Sequence, residues 1–367
     1  MKLVVFGLTI SSSWGNGHAT ILRGLFRELI ARGHEIVFFE HDVPYYAAHR
    51  DLCELPGGSL ELYSGWAEVL PNARRHVAEA DVAMVTSYCP DGLAACELVC
   101  AGDALRVFYD LDTPVTLSRV RNHETLSYIG ERGLRDFDLV LSFTGGGALD
   151  ALQVELGARR VAPLYGSVDP RLHRPVAVTT EYRNDLSYLG TYAADRQEAL
   201  TRLFLAPARQ LPAKRFVIAG AQYPKEFPWS DNIWFVRHLS PNEHPTFYCS
   251  SRLTLNVTRA AMAAMGWCPS GRLFEAAACG VPVLSDSWPG LEEFFTPGEE
   301  IIVAETSAEA IAALELSDAE LAKISGAACE RALTEHTAAS RALELERILD
   351  AVEPQRMEEH FTEASVC

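Results

Sequence analysis

Residues 269–285 read Pro-Ser-Gly-Arg-Leu-Phe-Glu-Ala-Ala-Ala-Cys-Gly-Val-Pro-Val-Leu-Ser, and this stretch decides the fold. Ser270 precedes apolar residues at helical spacing, which predicts that its side chain caps the start of a helix. Gly280 is typical of a helix end in the left-handed conformation, and Val281–Leu284 is typical of a short buried strand. The stretch therefore predicts a helix that leads directly into a strand, as in parallel α/β sheets.

Glu275 lies in the second turn of this otherwise apolar helix. A buried carboxylate is costly unless it is hydrogen-bonded, and the two hydroxyls of a sugar diol match its two oxygens. The helix N-terminus at Ser270 and Gly271, with Arg272 beside it, suits a phosphate. One turn of helix thus predicts a site for both ends of a nucleoside diphosphate. The alternative is an ordinary amphipathic helix with Glu275 at its solvent edge.

The rest of the chain predicts two α/β units in succession. A strand at Lys2–Leu8, a Ser/Gly loop, a helix over 18–32 and a strand at Glu35–Glu40 predict the start of a doubly wound parallel sheet. A second series of strands and helices begins at Leu186. Two such units predict a cleft with the ligand outside the carboxyl ends of the strands.

We divide the chain on this basis into five segments. They are an N-terminal acceptor-side domain at 1–172, a linker at 173–185, a nucleotide-sugar-binding domain at 186–335, a C-terminal helix at 336–350 and a loose acidic tail at 351–367.

Composition and charge exclude several classes of protein. With 367 residues, 48% hydrophobic and 22% charged, the chain is typical of a globular protein of about two domains. Its net charge of −17 argues against broad binding to nucleic acid or anionic membranes. No apolar run predicts a membrane span, and the N-terminus is unlike a signal peptide. Nine scattered cysteines without a C-x-x-C pair indicate reduced thiols in a cytoplasmic protein.

Several motifs resemble those of one family. The stretch from Glu275 to Pro282 resembles the E-A-x-A-x-G-x-P segment of GT-B glycosyltransferases, and the chain resembles glycosyl transferases group 1. The stretch from Arg272 to Gly280 is more similar still to the CgeB-like branch, named for a spore-maturation protein. Further segments that resemble this branch are 12–20, 108–114, 142–147, 164–170, 189–192 and 255–259.

The resemblance implies an α/β fold of the GT-B type, with two Rossmann-like doubly wound domains facing a cleft. It implies transfer of a hexosyl or pentosyl group from a nucleoside diphosphate sugar to an acceptor, and it implies that Glu275 binds the ribose. Retaining GT-B enzymes often carry a second Glu eight positions earlier, where this chain has Trp267. Neither a retaining nor an inverting outcome is therefore predicted.

We expect the donor nucleotide to bind the second domain without a metal ion or other cofactor. Fixed cations and helix N-terminal amides stabilise the charge that develops on a departing diphosphate. Arg196 and Arg272 are the best candidates, although a solvated surface charge is the ordinary alternative for each. The expected donor-binding residues are Glu275, Arg272, Gly271, Ser270, Arg196 and Gly190.

The first domain supplies the expected acceptor-side and catalytic residues. His18 follows two glycines at a predicted strand-to-helix turn, where it suits a base toward an acceptor hydroxyl or makes only local hydrogen bonds. Asp110-Leu111-Asp112 has the spacing of a metal-binding carboxylate pair, but we favour an acceptor-side or structural role. We assign His18 and Asp110 as catalytic. The expected acceptor-side residues are Trp14, Asn16, Gly17, Asp112, Gly145 and Gly146.

Two other functions stay open at this point. Gly15-Asn16-Gly17, with Glu40 or Asp42 as ribose ligand, is compatible with an NAD-type oxidoreductase, but Thr20 stands where the third glycine of that motif belongs. A non-catalytic protein that binds sugar nucleotides is the second alternative. The acceptor (a small molecule, glycan or protein) and the oligomeric state are not predicted.

Overall fold

Two parallel sheets organise the chain, one in each of two units. The computed structural model describes residues 1–364, with side chains to residue 352. Unit 1 comprises Met1–Tyr165 together with the chain from Ala338 onward, and unit 2 comprises Gly166–Thr337. Residues 173–185, which we expected to be a linker, are grouped with unit 2 and lead into its first strand.

The sheet of unit 1 has seven strands in the order β3-β2-β1-β4-β5-β6-β7, and all of its pairings are parallel. Its inner strands are nearly continuous runs of buried apolar residues, because helices cover both faces of such a sheet. The strands are β1 Lys2–Gly7, β2 Glu35–His41, β3 Ser59–Tyr63, β4 Val82–Thr86, β5 Leu105–Asp110, β6 Leu139–Ser142 and β7 Val161–Pro163.

The helices of unit 1 connect these strands in alternation. The first begins after Asn16, whose side-chain oxygen accepts a hydrogen bond from His18 N at 3.1 Å and so caps the helix. The helices are α1 Gly17–Ala31, α2 Pro44–Ala47, α3 Trp66–Ala78, α4 Gly92–Cys100, α5 Thr113–Arg121 and α6 Gly147–Leu156.

The sheet of unit 2 has six strands in the order β10-β9-β8-β11-β12-β13, again with parallel pairings. The strands are β8 Leu186–Leu189, β9 Phe216–Gly220, β10 Ile233–Arg237, β11 Thr254–Asn256, β12 Val283–Ser285 and β13 Ile302–Val303. When the strands of each sheet are numbered from its first strand, both sheets have the order 3-2-1-4-5-6, and the sheet of unit 1 has one further strand at the end.

Unit 2 contains seven helices among the described residues. They are α7 Gln197–Leu200, α8 Ala206–Gln210, α9 His244–Cys249, α10 Ala260–Met265, α11 Gly271–Ala278, α12 Ser307–Glu315 and α13 Asp318–Glu335. A π-helical turn at Thr201–Leu205 joins α7 to α8, directly before Pro207, which has no N–H to donate. The helix that we expected over Arg196–Phe204 is therefore longer and irregular.

Within the described residues, the C-terminal part of the chain contains three helices, the last of which is longer than the C-terminal helix that we expected at 336–350. Capping boxes at Thr306/Glu309 and Ser317/Glu320 start α12 and α13 as separate helices. The last helix, α14, spans Ala338–Ala364, so the residues 351–364 of the expected tail continue it. Residues 365–367 of that tail lie outside the described residues.

Helix α14 returns the chain to unit 1 and packs against α1. Ala342, Leu345 and Leu349 are buried in the same core as β1 and α1. Beside them, Arg32 donates two hydrogen bonds to Glu346, at 2.8 and 2.6 Å. In the part of the chain that the structure describes, no helix is both long and apolar enough to cross a membrane.

The core packing of α14 predicts that unit 1 depends on it for stability. Leu345 is 1% exposed, so Leu345→Ala is expected to lower the free energy of unfolding by about 2–5 kcal/mol through lost burial and a cavity. Leu343→Ala is the matched control, because Leu343 lies on the same helix and is 38% exposed. Urea denaturation measures both. Equal losses for the two variants would contradict the packing described here.

Candidate functional site

Both sheets reverse their strand order at one point, and ligands bind at the carboxyl ends of the strands there in doubly wound folds. The reversal lies between β1 and β4 in unit 1 and between β8 and β11 in unit 2. The loops that follow these strands therefore form the candidate site of each unit.

The first turn of α11 lies against the end of β8 in unit 2. Arg272 Nη1 donates a hydrogen bond to Leu189 O at 2.7 Å, and Arg272 Nε donates to Ser270 Oγ at 3.1 Å. Ser270 occupies the N-cap position, but the prediction that its side chain caps the helix is wrong, since Ser270 Oγ accepts from Arg272 instead. A Cβ on Gly190 would lie 2.6 Å from Arg272 Nη1, so the close approach requires a residue without a side chain.

Arg196 brings a second cation to the same place. It ends a 3-10 turn after β8, and its Nη1 makes only a long contact of 3.5 Å with Thr191 O. Its Nε is buried without a hydrogen-bond partner among the described residues. Burial lowers the pKa of Arg196, and the nearby charge of Arg272 lowers it further. Two like charges lie close together with no direct carboxylate partner within the described chain, an arrangement that favours binding of an anion.

Glu275 lies one turn further along α11 and is surrounded by polar side chains. Its Oε2 accepts a hydrogen bond from Tyr248 OH at 3.4 Å and lies 3.9 Å from His173 Nε2 and 3.7 Å from His244 Nδ1. The side chain of Glu275 is 12% exposed, so the carboxylate keeps a path to solvent. Three polar groups of the protein thus lie near this carboxylate, and only Tyr248 OH is within hydrogen-bonding distance of it.

The charge of Glu275 follows from its neighbours. Burial alone would raise its pKa, but His173, His244 and Arg272 together lower the pKa of Glu275 to about 2. Burial lowers the pKa of His173 in turn, because a charged imidazolium is poorly solvated there. Glu275 is therefore an ionised acceptor at physiological pH.

A small pocket opens beside these groups. Its lining includes Leu189 at the end of β8, Asn256 at the end of β11, Tyr248 and Arg272. The next loop is fixed by Asp286, whose two carboxylate oxygens share the Thr258 N–H in a bifurcated hydrogen bond, each 3.1 Å from the nitrogen. Charged and polar groups thus converge on the carboxyl ends of the two central strands of unit 2.

In unit 1 a buried carboxylate holds the loop after β1. Glu40 is 1% exposed, and its Oε1 accepts a hydrogen bond from Thr9 Oγ1 at 2.7 Å. Its Oε2 accepts from Ile10 N at 2.8 Å and from Ser11 N at 3.0 Å. Both oxygens of Glu40 are occupied by the loop, which leaves no acceptor for the ribose of a dinucleotide.

His18 meets the loop after β5 at this edge of the sheet. His18 Nε2 lies 4.0 Å from Asp112 Oδ1, and Asp112 Oδ2 accepts a hydrogen bond from Tyr88 OH at 2.9 Å. Tyr88 follows β4 and has a φ of 68°, a conformation that non-glycine residues seldom adopt. The side chains of His18 and Asp112 are 24% and 19% exposed, so both are accessible to a ligand.

Asp110 differs from Asp112 because it has no exposed surface. Its Oδ1 accepts hydrogen bonds from Thr116 Oγ1 at 2.9 Å and Asp112 N at 3.3 Å, while its Oδ2 has no partner among the described residues. Burial raises the pKa of Asp110 to about 6. These contacts give Asp110 a supporting position beneath the loop, and its catalytic role stays a prediction.

The other expected acceptor-side residues lie in loops of unit 1. Trp14 stacks on His49 with ring centroids 4.0 Å apart, and Asn16 is used as the cap of α1. Gly146 precedes α6 with a φ of 53° and a ψ of −137°, a conformation essentially limited to glycine. Gly17 is exposed at the start of α1, and Gly145 is buried.

Sequence reasoning missed the residues that surround Glu275. His244 and Tyr248 are four residues apart on α9, a spacing that places both on one helix face and could have marked them together. His173 lies in a turn closed by the hydrogen bond from His173 N to Asp169 O, inside the segment that we expected to be a linker. No sequence signal joins that turn to α11, because only the tertiary fold brings them together.

The two units with these strand orders define the class of fold, which is the GT-B fold with two Rossmann-like α/β units. A family model described as glycosyl transferase-like matches residues 196–347, which is less than half of the chain. No curated protein matches the chain.

Solved structures of similar fold extend over nearly the whole chain. Sucrose-phosphate synthase from Thermosynechococcus elongatus superposes with a TM-score of 0.70 at 12% identity, over 97% of this chain and 100% of that one. Anabaena HepE in complex with UDP and glucose gives a TM-score of 0.68 at 14% identity, over 96% and 100%. An alpha-glucosyltransferase in complex with UDP gives 0.67 at 13% identity, over 95% and 100%. These structures confirm the predicted fold.

The buried position of Asp110 predicts a pH dependence of stability. The pKa of Asp110 is higher in the folded than in the unfolded protein, so the folded protein binds the carboxyl proton of Asp110 more tightly. The free energy of unfolding therefore falls as the pH rises from about 4 to about 6. The penalty at neutral pH is on the order of 3 kcal/mol. Asp110→Asn is expected to remove most of this fall. Urea denaturation across that pH range measures it, with exposed Asp150→Asn as control; the same fall in both variants would contradict the assignment.

Proposed function

We propose that this chain is a metal-independent glycosyltransferase that moves a sugar from a nucleoside diphosphate sugar to an acceptor. The proposal rests on the arrangement of charges at α11. Arg272 lies in the first turn of this helix beside Arg196, and the ionised Glu275 lies one turn further along the same face of α11. Cations suit a diphosphate and an ionised carboxylate suits a ribose diol, and a nucleoside diphosphate carries both of these groups.

The donor half of the proposal assigns a role to each of these groups. Arg196, Arg272 and the amides at Ser270 and Gly271 bind the diphosphate and stabilise the negative charge that develops as it leaves. Because these cations are fixed, departure of the diphosphate requires no metal ion. Glu275 accepts hydrogen bonds from the ribose hydroxyls. UDP-sugars are the donors to test first, since similar folds have been solved with UDP and glucose bound.

The acceptor half of the proposal concerns unit 1. His18 acts as the base toward an acceptor hydroxyl, and Asp112 beside it stabilises the imidazolium that forms when the proton is taken. Tyr88 orients Asp112 through its hydrogen bond. A role limited to binding would not need a carboxylate beside the histidine, so this pair favours catalysis over a non-catalytic sugar-nucleotide-binding protein.

The oxidoreductase alternative has less support. Glu40 is occupied by the loop after β1, and Asp42 accepts a hydrogen bond from Arg50 at 2.5 Å. Glu40 is therefore not left for the ribose of a nicotinamide dinucleotide, and one oxygen of Asp42 is engaged by Arg50.

The finer assignments rest on the sequence. We propose membership of the CgeB-like branch, transfer of a hexosyl or pentosyl group, and a cytoplasmic location, the last because the eight cysteines in the described part of the chain are free thiols. The acceptor is a small molecule, a glycan or a protein, and the net charge of −17 disfavours nucleic acid.

Glu275→Gln tests the donor site directly. The variant keeps the shape of the side chain but loses the charge, and hydrogen bonds to charged groups contribute about 1.5–3 kcal/mol. We therefore expect UDP affinity to fall about tenfold or more in calorimetric titration, while exposed Glu299→Gln keeps the wild-type value. An unchanged affinity in folded Glu275→Gln would remove Glu275 from the nucleotide site.

His18→Ala tests the division of labour between the units. UDP affinity is expected to stay close to that of the wild type, whereas the rate of UDP release from a donor is expected to fall by roughly 10²–10⁴-fold if His18 is a general base. Arg272→Ala is the companion variant and is expected to weaken UDP binding itself. Loss of UDP binding in His18→Ala with normal binding in Arg272→Ala would reverse the assignment of donor and acceptor units.

A further inference from the structure

Three side chains from separate segments of unit 2 converge at Oε2 of Glu275. His173 comes from the turn before β8, His244 begins α9, and Glu275 lies on α11. One ligand atom from each residue lies within 4.8 Å of the other two. Two imidazoles and a carboxylate in this arrangement form a donor set that binds transition-metal ions.

The imidazole nitrogens at this point lack hydrogen-bond partners. His173 is 1% exposed, and neither Nδ1 nor Nε2 of its ring is bonded within the described chain; His244 Nδ1 is buried and unbonded as well. Two of these unbonded nitrogens, His173 Nε2 and His244 Nδ1, lie 3.9 and 3.7 Å from Oε2 of Glu275. A buried polar atom left without a partner costs about 1–3 kcal/mol, so two such atoms beside one carboxylate indicate a missing ligand.

We propose that His173 Nε2, His244 Nδ1 and Glu275 Oε2 bind one divalent ion of the borderline class, such as Zn²⁺, Co²⁺ or Ni²⁺. Ligands of a tetrahedral zinc ion lie roughly 3.3–3.5 Å apart. The observed separations from Oε2 of 3.9 and 3.7 Å therefore need to contract by only a few tenths of an ångström. Mg²⁺ and Ca²⁺ do not suit this site, because both ions prefer oxygen ligands and two of the three ligands here are nitrogen atoms.

The ion competes with the nucleotide for Glu275. Coordination by Oε2 removes one of the two oxygens that accept the ribose diol, so bound metal weakens nucleotide binding and bound nucleotide weakens metal binding to the same extent. The ion is therefore an inhibitor of the transfer reaction and not a cofactor. This step rests on the proposed function, whereas the metal site itself does not.

Cobalt titration of the metal-free full chain tests the site. We expect one Co²⁺ per chain with visible absorption bands of nitrogen and oxygen ligands and without the near-ultraviolet band of thiolate ligation. That distinction is needed because two cysteines lie close together in unit 2: Cys249 Sγ, at the end of α9, donates a hydrogen bond to Cys279 O, just after α11, at 3.5 Å. Second-shell changes already cost 10–100-fold in affinity, so His244→Gln is expected to lose about 100-fold or more.

The controls separate the site from incidental binding. His123→Gln removes an exposed histidine of unit 1 and is expected to keep the wild-type titration. His173→Gln changes a buried residue, so the melting temperature of this variant is measured first. If His173→Gln fails to fold, His244→Gln decides the result, because the side chain of His244 is 18% exposed. No stoichiometric binding, a dominant thiolate band, or an unchanged titration in His244→Gln would overturn the site.

The competition is tested by UDP titration with and without Co²⁺. Since Co²⁺ also binds the free diphosphate, the wild type and His244→Gln are compared at the same Co²⁺ concentration. Co²⁺ is expected to weaken UDP binding more in the wild type than in the variant. An equal effect overturns the competition, while failure of the metal-free wild type to bind UDP overturns the proposed function and leaves the cobalt titration to decide the site.

Discussion

The hydrogen bond from Arg272 to Leu189 O is the interaction on which the unit 2 site depends. It fixes the start of α11 against the end of β8, and it places a cation three residues before Glu275 on one face of the helix. The same contact explains Gly190, where a Cβ would meet the guanidinium. The Arg272 charge also adds to the effect of His173 and His244, which together lower the pKa of Glu275 in a place where burial alone would raise it.

The buried carboxylates of unit 1, unlike Glu275 in unit 2, accept hydrogen bonds from the loops above them. Glu40 is bonded on both oxygens by the loop after β1, so that it acts as an anchor for the segment that carries His18. Asp110 supports the loop after β5 from below, which leaves Asp112 at the surface beside His18. The same strand order therefore supports a pair of arginines at the edge of unit 2 and a histidine–carboxylate pair at the edge of unit 1.

Strong apolar periodicity made most of the fold predictable from sequence, and weaker patterns account for what was missed. The inner strands and α1 begin and end within about two residues of the expected positions. Strand β3 was missed because it lies at the sheet edge and is only partly buried, and α5 because its residues are mostly polar. The motif around Glu275 predicted its helix and Gly280, whereas His173 and His244 reach it only through the tertiary fold.

Trp267 shows how the chain departs from the family that it resembles. It stands where retaining GT-B enzymes often carry a second Glu, and its φ of 45° is unfavourable for a residue with a side chain. Its indole N–H donates to Glu293 Oε1 at 2.6 Å, and a Cβ on Gly290 would lie 2.6 Å from its ring. Packing and hydrogen bonding thus hold the aromatic ring in a strained backbone position. A carboxylate here would lose both contacts, so the fold of unit 2 uses this position for packing where those enzymes often have a charged group.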